Sequence, residues 1–283
     1  MKPAAIASTL LSCCTTAAAA AAVPAPPSDL RIPTSYESAV LARRILALTP
    51  LGTLSTVFPQ DKHSNDNDDD GASPQERRPP GLGGMPYGLM EYIADCEANS
   101  LGNPTILAIA IGTTFKNAAA GSNVSLAVQW TPPHPPAKRI KNERRSWLSY
   151  LGLSSTSSKD RERDISLPYS AANLPRFALL GHLEPIPGGD DGREGEVGAS
   201  LARCYVAAHP DARYWLPGNR IHEAHFVRLV VEQVYWVGGF GDRAFIGWIP
   251  VREWQNVTRE EWQEARLPGE KKGWKEWSVP GDL

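Results

Sequence analysis

His222-Glu223-Ala224-His225 is the arrangement in this chain nearest to a metal site. A zinc protease needs two histidines four apart on one helical face, with Glu beside the first. Here the spacing is three and the segment runs into a strand pattern, so two histidines at a strand entrance is the plainer reading. Gly238-Gly239-Phe240-Gly241 is glycine-rich enough to cradle a phosphate, yet no helix opening on Lys-Ser or Lys-Thr follows it, and a hairpin turn explains it. Ser125, Ser166 and Ser170 stand in no nucleophile-elbow context, and neither Cys96 nor Cys204 has a His near it in sequence. The acid run Asp66, Asp68, Asp69, Asp70 lacks the ordered alternation and terminal Glu of a calcium loop. No residue set points to covalent catalysis, no metal is expected, and the reading leans away from an enzyme.

Lys plus Arg number 29 and Asp plus Glu 31, so a net charge of -2 gives no global reason to bind nucleic acid or an anionic membrane. Lys138, Arg139, Lys141, Arg144 and Arg145 cluster near Trp147, but Glu143, Asp160, Glu162 and Asp164 share that segment. Solvation, or proteolytic processing at the dibasic pairs, is expected there and not RNA binding. Trp262, Trp274 and Trp277 offer either a carbohydrate-stacking platform or a packing flap, and packing is the safer expectation.

Residues 4–22 carry no charge, follow Lys2 and end in small alanines before a Pro-rich stretch, which is the pattern of a secretory signal peptide over 1–22. Ser8, Thr9, Ser12, Thr15 and Thr16 dilute it too far for a stable membrane anchor. Cleavage near Ala22 removes Cys13 and Cys14 and leaves Cys96 and Cys204. An even pair in an oxidising compartment points to a disulfide, and two buried free thiols is the competing reading. A secretory chain also gives meaning to two glycosylation sequons, at Asn123 and Asn256, of which the second is the better acceptor. The expected location is outside the cell, or the lumen of the endomembrane or vacuolar system.

The elements that must position these residues are mostly strands. With 25 Pro and 24 Gly among 283 residues, a long helical bundle is disfavoured. Residues 23–33 form a linker. Thr34 and Glu37 have capping-box spacing, and Val40, Leu41, Ile45 and Leu48 recur at helical intervals, predicting a helix over 35–48. Strands are predicted over 52–58, 85–96, 105–111, 124–130, 174–186, 226–237 and 243–249, with helices over 195–208 and from Val251. Strand 105–111 is apolar on both faces and so belongs inside a closed or covered sheet. In 226–237, Val227, Leu229, Val231, Tyr235 and Val237 form one apolar face. Residues 60–84 and 131–172 lose periodicity and read as flexible insertions, and 259–283 as a charged tail without periodicity. One domain over 34–258 remains.

The order of these elements resembles the flavin-binding split barrel of the pyridoxamine 5′-phosphate oxidase superfamily, and within it the CREG family of secreted glycoproteins. The residues that carry the likeness are Gly-Thr-Leu-Ser-Thr at 52–56, Gly84-Met85-Pro86-Tyr87, Asn103-Pro104, the stretch Cys204 to Pro210, and Pro250 to Thr258. The resemblance implies an α+β, mainly β, split β-barrel with flanking helices, and a homodimer. His209-Pro210-Asp211-Ala212 and Val237 to Gly241 are also similar to a haem-utilisation branch. Flavin-using relatives hold the FMN phosphate with Arg or Lys from a stretch matching Pro79 to Phe115, which here has neither and carries Glu91, Asp95 and Glu97. That departure disfavours FMN unless Arg43, Arg44 or Lys116 reach the stretch from outside.

Three readings follow. The leading one is a non-catalytic binding or signalling module without cofactor, recognising an unidentified protein or small molecule. The second is an FMN-dependent oxidoreductase with Asn99 and Ser100 at the cofactor, and the third a haem-binding or haem-degrading protein with His209, His222 or His225 as axial ligand.

Overall fold

The computed structural model describes residues 31–60, 79–97, 101–136, 171–190, 195–219, 221–241 and 243–274. The expected leader, most of the linker, the acidic run, Asn99 and Ser100, nearly all of the basic insertion and the last nine residues lie outside the described residues.

Helix α1 (Ser35–Leu48) starts where the sequence predicts, because the Thr34 hydroxyl accepts from the Glu37 amide and the Glu37 carboxylate accepts from the Thr34 amide. Pro50 prevents its continuation. Then come β1 (Leu51–Val57), β2 (Pro86–Tyr92), β3 (Thr105–Ile109), α2 (Thr113–Ala119), β4 (Val124–Gln129), β5 (Arg176–Pro185), α3 (Glu196–Ala208), β6 (Ala224–Val237), β7 (Ile246–Ile249), α4 (Val251–Asn256) and α5 (Arg259–Glu264). The sequence reading assigns nothing to α2, which is too short to display a helical period.

The strands form one antiparallel sheet in the order β2-β1-β4-β5-β6-β3, with β7 also on β6. Its inward residues, among them Leu54, Leu126, Leu179, Leu229 and Val234, share one core with Ala39, Ala42, Ile45 and Leu46 of α1. Among the described residues the two sheet edges meet only at the bridge Ala94↔Thr105, so the sheet is not closed. The fold is the expected mainly β split barrel with flanking helices. Strand β3 is buried on both faces as its composition requires: Ile106 and Ala108 join the barrel core, while Leu107 joins a second cluster with Leu201 and Tyr205 of α3.

Strand β6 departs from the expected alternation. Leu180 pairs with Gln233 and Gly181 with Val231, so Glu232 is an extra residue that shifts the parity of all that follows. Val227, Leu229 and Val231 point inward as expected, but beyond the bulge the inward places fall to Val234 and Trp236, and Tyr235 turns outward. Gly181 permits this crossing, since a Cβ there would overlap the Val230 carbonyl oxygen.

The carboxy-terminal segment also differs from expectation. Thr258 and Glu261 form a second capping box that starts α5, Leu267 is buried, and Arg44 on α1 grips Glu270 with both carboxylate oxygens engaged. Trp130 donates to the Pro268 carbonyl and Trp274 to that of His134. Residues 259–274 therefore pack on the barrel, as the tryptophans suggest. The packing runs through individual side chains and one short helix, which leaves no period to read.

Candidate functional site

With inward positions filled, the outward residues of β1, β4, β5 and β6 create a groove of about 710 Å³. Ala127 and Ala178 are register partners on adjacent strands, and their small side chains leave its floor low. Leu51, Thr53, Met90 and Tyr235 form its walls, with Arg176 and Gln129 as polar contributors. Tyr235 packs edge-on against Trp248 of β7 at 5.1 Å between centroids, extending the apolar surface beyond the groove. Met90 is 69% exposed and Trp248 56%, unusual for side chains of this size gathered on one face.

A second cavity of about 670 Å³ lies between the end of α1, the segment after β2, the end of α3 and the α4–α5 junction. Arg43 forms part of its wall, almost wholly buried, 3.5 Å from Asp95, with its guanidinium 5.4 Å over the Trp254 ring and donating to the Trp254 carbonyl. Burial pulls the Arg43 pKa down and Asp95 opposes that shift. Cys204 also lines this cavity and is bonded to Cys96, so of the two readings of these cysteines the structure shows the disulfide.

The geometry bears on the flavin question. Of the outside cations, Arg43 is committed to Asp95 and Trp254, Arg44 is committed to Glu270, and Lys116 faces a third cavity beside Asp190. Glu91 and Glu97 are held toward their protonated forms chiefly by burial, and Arg228 opposes the shift at Glu97. The arginines that reach the described part of 79–115, Arg43 at Asp95 and Arg228 at Glu97, are thus paired with its acids, a poor fit for a phosphate dianion. Asn99 and Ser100 lie outside the described residues.

The three histidines occupy different settings and are not brought together as one site. His209 is buried, stacked 4.5 Å from Tyr92 and packed against Tyr205, and its Nε2 donates to the Ile93 carbonyl at 2.9 Å. Burial lowers its pKa. His225 has Nδ1 3.0 Å from Asp190 and Nε2 3.3 Å from Glu223, and the Asp190 hydrogen bond raises its pKa. Both ring nitrogens face carboxylates, which favours imidazolium over the neutral ring that a metal requires. His222 is half-buried beside a pocket of about 330 Å³ that it shares with His225. Among the described residues no group of three or more His, Cys, Asp or Glu side chains is placed to hold a metal ion.

Asn123 immediately precedes β4 and Asn256 ends α4, and both are exposed. Among the described residues no helix is long and apolar enough to cross a membrane. The outer groove is what sequence reasoning missed. Its signal, alanines at outward positions of two strands, acquires meaning only through the register that sets Ala127 opposite Ala178.

No curated protein matches the chain. Solved structures resemble it at low identity. A heme binding protein from Mycobacterium smegmatis is 18% identical over 79% of this chain and 60% of its own, with a TM-score of 0.44. The Agrobacterium tumefaciens protein Atu2129, of unknown function, is 20% identical over 77% of this chain and 62% of its own, at 0.40. HutZ, the heme storage protein of Vibrio cholerae, is 11% identical over 66% of this chain and 84% of its own, at 0.35. The chain thus spans 60% of the length of the first of these and 62% of the second. The model of the family described as CREG, beta-barrel, matches residues 33–256. With that match covering the antiparallel split barrel and its first helix, the chain belongs to the CREG β-barrel family.

Proposed function

We propose that this chain is a non-catalytic binding module of the secretory pathway, secreted or lumenal, that works as a homodimer joined through the outer face of its sheet. The observation that carries the reading is the exposed apolar face of Leu51, Met90, Tyr235 and Trp248 around the groove over Ala127 and Ala178. Aromatic and Met side chains on a low floor are what a desolvated interface centre uses. The Cys96–Cys204 bond suits an oxidising compartment, and the exposed Asn123 and Asn256 suit a glycoprotein. Ligand recognition, of a protein or a small molecule, falls to the surfaces the dimer leaves open.

The test is expression of the full chain in a secreting eukaryotic host, followed by light-scattering mass and a visible spectrum of the product. A colourless dimer whose mass falls on deglycosylation is expected. A monomer at micromolar concentration overturns the dimer, and stoichiometric flavin bands or a Soret band overturns the cofactor-free module.

A further inference from the structure

The barrel is open at one end. There the inner face of β3, β5 and β6 meets α2, and a cavity of about 510 Å³ remains. Elsewhere the core is filled by Leu, Val, Ile and aromatic side chains. Here much of the wall is small, with Ala108 from β3, Ala110 just beyond its end, and Ala118 and Ala119 from α2 beside Phe115, and these alanine methyl groups leave the space unfilled. Leu183 and Val227 continue the apolar wall into the core, and Ala108 and Val227 belong to it. The size is that of a small-molecule site, and barrel mouths are one of the places where such sites form.

Polar groups are confined to the rim. Lys116 and His225 contribute cationic groups there and Asp190 an anionic one, while Glu223 stands against the far side of the His225 ring. Asp190 is also fixed by the Phe226 amide. Two groups of each sign balance, so a ligand with a net charge gains little from this rim; the His225 ring nitrogens already face Asp190 and Glu223, whereas the Asp190 carboxylate has lone pairs beyond its His225 and Phe226 contacts and can accept from a neutral hydroxyl.

We propose that the open end of the barrel binds a small uncharged hydrocarbon ligand ending in one hydroxyl, its chain among the alanines and its hydroxyl donating to Asp190 at the rim. The site lies on the inner face, so it stands apart from the outer groove.

The experiment titrates the secreted, disulfide-bonded full chain with the neutral fluorophore N-phenyl-1-naphthylamine and displaces it with 1-decanol, decanoate or decylamine. Saturable binding displaced preferentially by decanol is expected. Ala108→Leu or Ala118→Leu fills the space and lowers probe affinity at least tenfold with unchanged far-ultraviolet dichroism, while Ala178→Leu in the outer groove leaves it unchanged. Wild-type affinity in the filled variants, loss with Ala178→Leu, or preferential displacement by a charged chain overturns the proposal. Should neither filled variant fold, a diazirine-bearing decanol photolabels the wild-type protein: label at 108–119, 183–190 or 225–227 upholds the site, and label elsewhere overturns it.

Discussion

Tyr235 and Trp248 are register partners across β6 and β7, with rings 5.1 Å apart at 63°, and both stand on the outer face. The single extra residue Glu232 puts Tyr235 there. Without the shift in parity Tyr235 would point into the core and the groove would lose a wall. A local irregularity of backbone thus builds the surface on which the proposed assembly depends.

If that surface joins two copies, Trp248→Glu should abolish the dimer. The expected loss is at least about 2 kcal/mol of association energy, roughly thirtyfold in the dissociation constant, because a charge replaces a buried aromatic anchor. Trp248 is 56% exposed in the monomer, so thermal stability should change little. Sedimentation equilibrium of the variant and wild type checks both, and an unchanged dimer would move the interface elsewhere.

The bulge carries a prediction for stability. Gly181→Ala places a methyl group against the Val230 carbonyl, which is backbone and cannot swing away. A loss of about 3 kcal/mol or more is expected, at or above the upper range of overpacking. Gly121→Ala is the comparison, with φ of +96° and no atom within 4 Å of the added carbon, and should cost only about 1 kcal/mol. Urea unfolding monitored by tryptophan fluorescence separates the two.

How far the sequence could be read follows the same physics. Thr34 and Glu37 announce α1 because the capping box acts over three residues, and the apolar run from Thr105 announces a strand covered on both faces because burial alone decides its composition. The bulge at Glu232 was not legible, since an alternating count passes through an extra residue unnoticed. Nor was α2, whose seven residues complete under two turns. His209 invited a functional role, yet its ring is a packing element between Tyr92 and Tyr205, a placement set by residues far away in sequence.

The Arg43–Asp95 pair joins α1 to the segment after β2, with Trp254 of α4 beneath the guanidinium. Asp95→Ala removes the partner and leaves a buried cation, for which a loss of about 3–5 kcal/mol is expected. Replacing both as Arg43→Met and Asp95→Leu should recover most of that loss, because no charge then remains out of water. A double-mutant cycle in urea measures the difference; equal losses for the single and double variants would show that the pair itself supplies the stability.

Glu91 gives the chain a dependence on pH with a definite sign. Its carboxyl sits on the inner side of β2, where burial raises its pKa above 4.5 and a hydrogen bond from Thr114 opposes the shift without cancelling it. The folded state therefore holds this proton more tightly than the unfolded state. The stability it contributes is complete below the unfolded pKa and is lost as pH rises through the folded one. Gln at this position keeps the shape and cannot ionise. Glu91→Gln should therefore raise the Tm at neutral pH and converge on the wild type as pH falls below about 4, the range where an unfolded Glu is itself protonated. Calorimetric scans across that interval test it, and a Tm difference that stays constant with pH would show that ionisation of Glu91 is not its cause.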